Sequence, residues 1–168
     1  QYAIGAGLEV SNIYPLLHQQ GFDDGLSAAE PEGRFTLSRS AWAGSQRFGS
    51  AVWSGDVESS FRGLRAQVRA GLNMAMSGIP WWTTDIGGFF GGDIQSPTFR
   101  ELVVRWFQYA VFCPVCRLHG YRGPQQGPMP ISGAANELWS FGDDVYGILR
   151  EYLVLREKLR PYIHDMMR

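Results

Sequence analysis

Residues 59–88 read SSFRGLRAQVRAGLNMAMSGIPWWTTDIGG, a helical pattern that is followed at once by an apolar strand pattern. Apolar residues recur at three- and four-residue steps from Phe61 to Met76, which predicts a helix with one apolar face. Ser59 or Ser60 is the expected N-cap, and Gly78 is the expected stop signal. The segment IPWWTTDIGG stays apolar until it ends in Thr-Thr-Asp, as buried strands of parallel sheets do.

The alternation of helices and strands continues on both sides of this segment. Short β-rich or apolar runs predict strands over 34–40, 51–53, 79–88 and 113–120. Apolar periodicity predicts helices over 12–20, 59–78, 99–112 and 143–168. Glycine-rich or polar composition predicts loops over 41–50, 89–98 and 121–136. This order predicts βα units and therefore an α/β fold with a parallel sheet.

Several details of these elements can be predicted as well. Asn12 is the expected N-cap of the first helix, and Thr98 with Glu101 predicts a capping box for the third. Pro161 is expected to kink the last helix or divide it in two. The residues of that helix expected to point inward are Tyr146, Leu149, Leu153, Leu155, Leu159 and Tyr162. Of the adjacent Trp81 and Trp82, at least one should lie in the core, because alternate strand residues face opposite sides.

Composition excludes several classes of function. The 168 residues suffice for one domain with a real core, and the net charge of −1 argues against a nucleic-acid arm or a polybasic membrane patch. We expect no transmembrane helix, because no run of 18 apolar residues occurs. The first ten residues lack the features of a signal peptide. They also lack an initial Met and begin mid-pattern, so we interpret the chain as a fragment of a longer protein.

Cys113, Cys116 and His119 spell C-x2-C-x2-H. A structural zinc ion would need a fourth ligand and usually a second paired cluster, and His18 and His164 are distant in sequence. A redox pair would normally follow a strand and open a helix. We favour the interpretation that Cys113 and Cys116 are small buried residues on a strand. We therefore predict no metal site.

Polar residues recur where the predicted strands end. They are Arg39 and Ser40, Asp56, Asp85, and Arg117 with His119. In a (β/α)8 barrel the carboxyl ends of the strands build the active site. Successive strands that deliver ionisable groups to one rim therefore fit half of such a barrel.

Three blocks of the sequence resemble glycoside hydrolase family 31, the family of α-glucosidases and α-xylosidases. They are FTLSRSAWAGSQRFGSAVWSGD (35–56), GLNMAMSGIPWWTTDIGGF (71–89) and RWFQYAVFCPVCRLHG (105–120), and they occur in family order. The resemblance implies a (β/α)8 TIM barrel, of which residues 1–168 would be a single partial catalytic domain with roughly strands five to eight. It also implies a retaining mechanism that uses two carboxylates and no metal or organic cofactor.

The resemblance also assigns roles to residues. In the W-x-G-D block it makes Asp56 the general acid/base, with Trp53 as a wall of the sugar subsite. Arg47 looks like the family's donor to sugar hydroxyls and to the catalytic carboxylates. Read without the family, Arg47 could instead form a buried ion pair with Asp56 or Asp85.

Three further residues correspond to sugar-binding positions of the family. Asp85 and Phe89, in the D-I-G-G-F block, are expected to line the −1 pocket, and His119 is expected to bond a sugar hydroxyl. Without the family, Asp85 is equally compatible with an N-cap or turn, and His119 with a core or surface histidine.

The family's catalytic nucleophile lies upstream, in a strand ending W-x-D-x-x-E or K-x-x-D-x-x-E. The sequence contains no such block, and Glu9, Glu30 and Glu32 do not stand in that context. We therefore predict that the parent protein hydrolyses α-xylosides or α-glucosides. The sequence blocks resemble those of α-xylosidases more than those of α-glucosidases. We also predict that the isolated chain is inactive. The alternative is a non-catalytic carbohydrate-binding or degenerate module.

Overall fold

The structure is a computed structural model, and it describes residues 3–30, 34–123 and 135–167. The chain divides into two compact units, Gln1–Trp53 and Ser54–Arg168, called unit 1 and unit 2 below. Both units combine helices with short parallel strands, which agrees with the predicted α/β class.

The described residues of unit 1 form two α-helices and a parallel strand pair, besides two short 3-10 turns. Its elements are α1 (Gly7–Val10), α2 (Tyr14–Ala29), β1 (Thr36–Ser38) and β2 (Ser50–Trp53). Leu37 of β1 lies opposite Ala51 of β2. The predicted strands over 34–40 and 51–53 are thus confirmed, and the predicted loop between them holds one turn of 3-10 helix, Ser45–Arg47.

The first long helix differs from its prediction. A 3-10 turn, Ser11–Ile13, precedes α2, and Ile13 occupies the N-cap position that was predicted for Asn12. The helix also continues to Ala29, past Gly21 and Gly25. Each glycine costs a helix only about 1 kcal/mol relative to alanine, which the rest of α2 can offset.

The described residues of unit 2 form three α-helices, three short strands and a 3-10 helix, Leu138–Phe141. Its elements are α3 (Phe61–Met76), β3 (Trp82–Thr83), β4 (Phe90–Asp93), α4 (Pro97–Ala110), β5 (Tyr121–Gly123) and α5 (Asp143–Met166). Its buried core comprises Ile86, Phe99, Leu102, Val103, Val104, Trp106, Phe107, Ala110, Val111, Phe141, Val145 and Leu149. The core therefore lies mainly between α4, α5 and the segment that follows β3.

Helix α3 begins and ends where the sequence predicts. The Ser60 hydroxyl accepts a hydrogen bond from the Gly63 amide at 2.9 Å, and Gly78 adopts a φ of +79° beyond the C-terminus. The apolar face is less buried than predicted, because Phe61, Leu72 and Met76 are 45%, 63% and 88% exposed. At the following strand, Trp82 is buried and Trp81 is partly exposed, as alternation predicts.

The predicted strand over 113–120 and the predicted loop over 89–98 are both wrong. Residues 111–115 form turns and bends, and within 113–120 only Leu118 makes a β-bridge, with Ile86; the strand pair is instead β4 with β5, which run parallel. β4 consists of Phe-Gly-Gly-Asp, a composition with low strand propensity. Its strand conformation comes from pairing with β5, a tertiary contact that local propensity cannot reveal. Of the predicted loop 121–136, residues 124–134 lie outside the described residues.

The predicted capping box at Thr98 is also wrong. Helix α4 begins at Pro97, with Ser96 in the N-cap position and no side-chain cap bond. Proline is favoured in the first turn of a helix because its missing N–H has no partner there in any case. The helix therefore starts before Thr98 can act as its cap.

Helix α5 runs unbroken through Pro161, so this proline does not divide it. Its inward face is narrower than predicted. Leu149 is fully buried, whereas Tyr146 and Tyr162 are 39% and 63% exposed. Among the described residues, no helix is both long and apolar enough to cross a membrane.

Candidate active site

The polar residues of unit 2 lie on three neighbouring segments, residues 54–59, 84–93 and 117–123. The first two are joined by a hydrogen bond from the Ser54 hydroxyl to the Thr84 hydroxyl, at 3.1 Å. The segments then run side by side, because the Val57 carbonyl accepts bonds from the amides of Phe89 and Phe90 at 2.7 and 3.0 Å.

The third segment joins the second in the same way. Ile86 and Leu118 form a parallel bridge, and the Tyr121 amide donates to the Phe89 carbonyl at 2.7 Å. Residues 84–93 are thus held on both sides, which brings Asp56, Asp85 and His119 into one region of unit 2.

Glycines allow the middle segment to turn tightly after Asp85. Gly87 and Gly88 have φ values of +90° and +81°, a backbone region that L side chains rarely adopt. A Cβ added to Gly88 would lie 2.6 Å from the Cα of Ser59. Only glycine therefore permits this approach of the two backbones.

Asp85 is fully buried and forms an ion pair with Arg117. The Arg117 guanidinium donates a short hydrogen bond to Oδ1 of Asp85, and the Arg117 side chain is 24% exposed. Within the described part of the chain, Oδ2 of Asp85 has no hydrogen-bond partner. A buried carboxylate oxygen without a partner is costly, so this atom can accept a further hydrogen bond.

Burial raises the pKa of Asp85 above its usual value, while the charges of Arg117 and His119 act to lower it. The charge of Asp56 contributes in the opposite direction and raises the pKa of Asp85. The two carboxylates are therefore close enough to interact. Asp56 itself is exposed, and it follows the buried Gly55, which has a φ of +74°.

The aromatic ring of Phe89 lies beside the imidazole of His119. The Phe89 and His119 rings are 5.5 Å apart between centroids, and Phe89 makes an edge contact with Phe90 at 4.8 Å. His119 is exposed and Phe89 is half-buried. An aromatic face next to a hydrogen-bonding imidazole is a suitable surface for one face and one hydroxyl of a sugar.

The other two predicted site residues belong to unit 1. Arg47 is exposed, and its Nε donates to the Gly44 carbonyl at 3.1 Å. Its guanidinium also lies 5.2 Å from the centre of the Phe48 ring. The guanidinium of Arg39 lies 5.2 Å from the ring of Trp53.

A cleft of about 370 Å³ in unit 1 includes Trp53 in its wall. Arg39, Ser38 and Ser40 contribute its polar groups, and α2 contributes aromatic side chains including Tyr14. Trp53 thus lines a cavity with mixed aromatic and polar walls.

The two cysteines form no disulfide, and Cys113 is buried while Cys116 is half-buried. Burial raises the pKa of the Cys113 thiol to about 11, and it raises the pKa of Cys116 as well. Both thiols are thus held in the protonated form, which is a poor nucleophile and metal ligand. The cysteines lie in turns rather than on the predicted strand, and no cluster of metal-binding side chains occurs in the described ranges.

Two arginines of unit 2 received no role in sugar binding from the sequence. Arg117 was predicted only as a polar residue at the end of a strand, and it forms an ion pair with Asp85. Arg122 is 3% exposed, and its guanidinium bonds to backbone carbonyls around the segment 86–91. No sequence pattern marks Arg122, because its role depends on which loops surround it.

The protein family of the chain follows from comparison with known families. The sequence model described as "Glycosyl hydrolases family 31 TIM-barrel domain" matches residues 3–166. The chain belongs to glycosyl hydrolase family 31. The resemblance seen in the sequence blocks is therefore confirmed, and the chain is part of an α/β barrel domain of this family.

Relatives within family 31 include several named as α-xylosidases. The α-xylosidase of Saccharolobus solfataricus is 41% identical over 97% of this chain, which corresponds to 21% of that protein. The α-xylosidase A of Aspergillus niger is 40% identical over 98% of the chain and 24% of that protein.

A solved structure gives a similar result. A family 31 α-xylosidase from a soil metagenome, complexed with xylose, superposes with a TM-score of 0.94 at 54% identity. The match covers 99% of this chain and 26% of that one. The chain thus spans about a quarter or less of the proteins it matches.

Proposed function

We propose that this chain is the part of a retaining α-glycosidase that carries the general acid/base, Asp56, and part of the sugar-binding pocket. Its strands would correspond to roughly the fifth to eighth strands of the barrel. The second catalytic carboxylate, the nucleophile, would come from another part of the protein. The single observation that carries the proposal is the juxtaposition of Asp56 with the buried Asp85–Arg117 pair in a family 31 barrel domain.

The chemistry of the two carboxylates supports different roles for them. Asp56 is exposed, so it can reach a glycosidic oxygen and water, as an acid/base must. Asp85 is enclosed and already bonded to Arg117, so it is suited to binding rather than to proton transfer. Its Oδ2 would be satisfied by a sugar hydroxyl, with His119 and Phe89 contacting the same sugar.

An α-xyloside is the favoured substrate, with an α-glucoside as the second choice. The relatives named as α-xylosidases and the xylose complex of the soil enzyme support this order. A family 31 dextranase of Flavobacterium johnsoniae, complexed with glucose, is 32% identical with a TM-score of 0.85, so glucose-recognising relatives share the fold.

The test is Asp56→Asn in the full-length protein. For a substrate with a sugar leaving group, we expect kcat/KM to fall on the order of 10²–10⁴-fold, because the leaving oxygen is no longer protonated. An aryl α-xyloside whose phenolate leaves readily should keep most of its glycosylation rate. Azide, which needs no general base, should restore turnover of the aryl substrate.

Asp165→Asn is the matched control, since Asp165 is an exposed aspartate at the end of α5. It should leave both substrates unaffected. Equal losses on both substrates after Asp56→Asn, without azide rescue, would remove Asp56 from the acid/base role. Xylose binding without any turnover by the unmodified protein would instead favour a non-catalytic sugar-binding module.

A further inference from the structure

The guanidinium of Arg122 is buried in the centre of the site region of unit 2. Its Nη1 donates to the Gly88 carbonyl at 2.7 Å, and its Nη2 donates to the Ile86 carbonyl at 2.9 Å. Longer bonds reach the carbonyls of His119 at 3.2 Å and Gly91 at 3.3 Å. One side chain therefore binds both the segment 86–91 and the segment that carries His119.

These carbonyls take the place of a carboxylate partner. Within the described part of the chain, no carboxylate lies within ion-pair distance of Arg122, although Asp85 is near enough to favour its charged form. Burial lowers the pKa of Arg122 to about 10, so the side chain remains charged at neutral pH. Apart from a long contact of 3.5 Å from Nη1 to the Ser59 hydroxyl, the hydrogen bonds of this buried charge go to backbone carbonyls, which therefore have to surround it closely.

The backbone around Arg122 is shaped to approach it. A Cβ added to Gly120 would lie 2.4 Å from the guanidinium nitrogens, and one added to Gly87 would lie 3.1 Å from Nη2. On the other side, the guanidinium carbon lies 5.1 Å from the centre of the Phe99 ring of α4. Arg122 is therefore enclosed between the core helix and the glycine-rich turn.

The segments that Arg122 holds carry three of the proposed sugar-binding residues. Asp85 directly precedes Ile86, Phe89 directly follows Gly88, and the His119 carbonyl is itself a partner of the guanidinium. We propose that Arg122 is a positioning residue, which sets the relative placement of Asp85, Phe89 and His119 through their backbones. This inference rests on the proposed function, because it assumes that these three residues bind sugar.

Lysine cannot replace arginine in this role. A guanidinium is a planar fork whose five N–H groups point in fixed directions, whereas an ammonium is a single point with three donors. Lysine at position 122 would keep the charge and lose the simultaneous contacts to both segments. Arg122→Lys in the full-length enzyme therefore separates positioning from charge.

A matched control exists in the same unit. The guanidinium of Arg156 also bonds to backbone carbonyls, those of Val111, Cys113 and Pro114, but it holds a turn that carries none of the proposed sugar-binding residues. Arg156→Lys removes the same kind of interaction elsewhere. Both variants should lower thermal stability to a comparable degree.

We expect the two variants to differ in sugar binding. Arg122→Lys should raise the KM for an aryl α-xyloside and the Kd for xylose by about 10- to 100-fold, as displaced binding groups do. Arg156→Lys should leave both constants unchanged. The Kd for xylose is measured by titration calorimetry, which does not depend on turnover. Equal constants in the two variants would reduce Arg122 to a purely structural role.

A second variant covers the case in which Arg122→Lys does not fold. Phe99→Leu removes the ring that the guanidinium packs against, so the guanidinium is freer to shift away from the carbonyls that it binds. The lost cation–π contact corresponds to a factor of about two to five in the equilibrium between the placed and the shifted side chain. We expect the xylose Kd to rise by about that factor, and an unchanged Kd would contradict the proposal. If Asp56→Asn behaves as a scaffold variant while Arg122→Lys still weakens xylose binding, the acid/base assignment fails and the positioning role stands.

Discussion

Unit 2 encloses large apolar side chains, whereas unit 1 leaves most of its own exposed. In unit 2, Trp106, Phe107 and Phe141 are at most 1% exposed. Among the described residues of unit 1, the buried apolar side chains are Ala51 and Val52. The large ones that remain more than a third exposed are Ile4, Leu8, Tyr14, Leu17, Phe22, Phe35, Leu37 and Trp42.

This difference indicates where the chain supplies its own stability. Burial of a large side chain contributes about 1.5–3 kcal/mol, so the apolar residues of α4 and α5 account for most of the stabilisation available here. The cluster around Asp85 and Arg122 is built directly on Phe99, a residue of that core. The proposed sugar-binding residues of unit 2 thus lie next to a buried core, while Arg47 and Trp53 belong to the less enclosed unit.

The largest effect is expected from truncating a buried tryptophan. Trp106 is fully buried, so Trp106→Ala should lower the local free energy of unfolding by about 3–5 kcal/mol through lost burial and the cavity left behind. Hydrogen exchange of the α4 amides in the full-length protein reports this loss. Trp42→Ala is the control in unit 1, since Trp42 is 45% exposed, and it should change local stability by less than about 0.5 kcal/mol. Comparable losses at both positions would contradict the contrast between the units.

Substituting alanine for glycine should lower stability at one position of unit 2 and raise it at one position of unit 1. Gly88→Ala puts a Cβ against the backbone of Ser59 and strains a φ of +81°, so we expect a loss of about 1–3 kcal/mol. Gly25 lies inside α2 with no atom within 4 Å of an added Cβ. Gly25→Ala should therefore stabilise the protein by about 0.5–1 kcal/mol, because alanine loses less backbone entropy in a helix.

Thermal midpoints of the two glycine variants provide the measurement. A rise with Gly25→Ala and a fall with Gly88→Ala is the expected pair of results. A stabilising Gly88→Ala would mean that the close approach of residues 86–91 to Ser59 is not required, which would also weaken the argument for Arg122.

Local sequence signals were sufficient for the elements that depend on local interactions. The sequence predicts helix α3 with Ser59 or Ser60 as its cap and Gly78 as its stop, and the structure has Ser60 as the cap; both signals act within one turn of the helix. The start of α4 was missed because Pro97 and Thr98 are competing signals, and the proline prevailed. Strand β4 could not be predicted, since its Gly-Gly sequence becomes a strand only through pairing with β5.

The candidate site also contains residues that the sequence could indicate and one that it could not. Asp56, Asp85 and His119 could be found because a polar residue at the end of an apolar run is visible in sequence, and the family blocks assigned their roles. Arg122 could not be found, because its partners are carbonyls of residues up to 36 positions away. A carbonyl group is present at every residue, so no side-chain pattern records such a contact.

The smallest effect is expected from the pH dependence of stability that the carboxylates of two ion pairs cause. One pair is Asp85–Arg117 in unit 2, and the other is Asp23–Arg34 in unit 1. Because burial raises the pKa of Asp85, the folded protein favours the protonated carboxyl more than the unfolded chain does. The stability from this preference is fully present below the unfolded pKa and is lost as the pH rises through the folded pKa. Asparagine cannot titrate, so Asp85→Asn should gain stability relative to the unmodified protein as the pH rises, by about 1.4 kcal/mol for each unit of pKa difference.

Thermal midpoints of the two proteins, compared at about pH 4 and about pH 7, provide the measurement, because the change begins near the usual carboxyl pKa and continues above it. The Asp23–Arg34 pair of unit 1, at 2.6 Å and with both side chains partly exposed, is the control. Asp23→Asn should cost less than about 1 kcal/mol, because exposed ion pairs contribute little. If Asp85→Asn instead lost stability steadily as the pH rose, attraction to Arg117 would outweigh burial. Both ion pairs would then stabilise the protein, and the Asp85–Arg117 pair would differ from the Asp23–Arg34 pair only in how much stability it contributes.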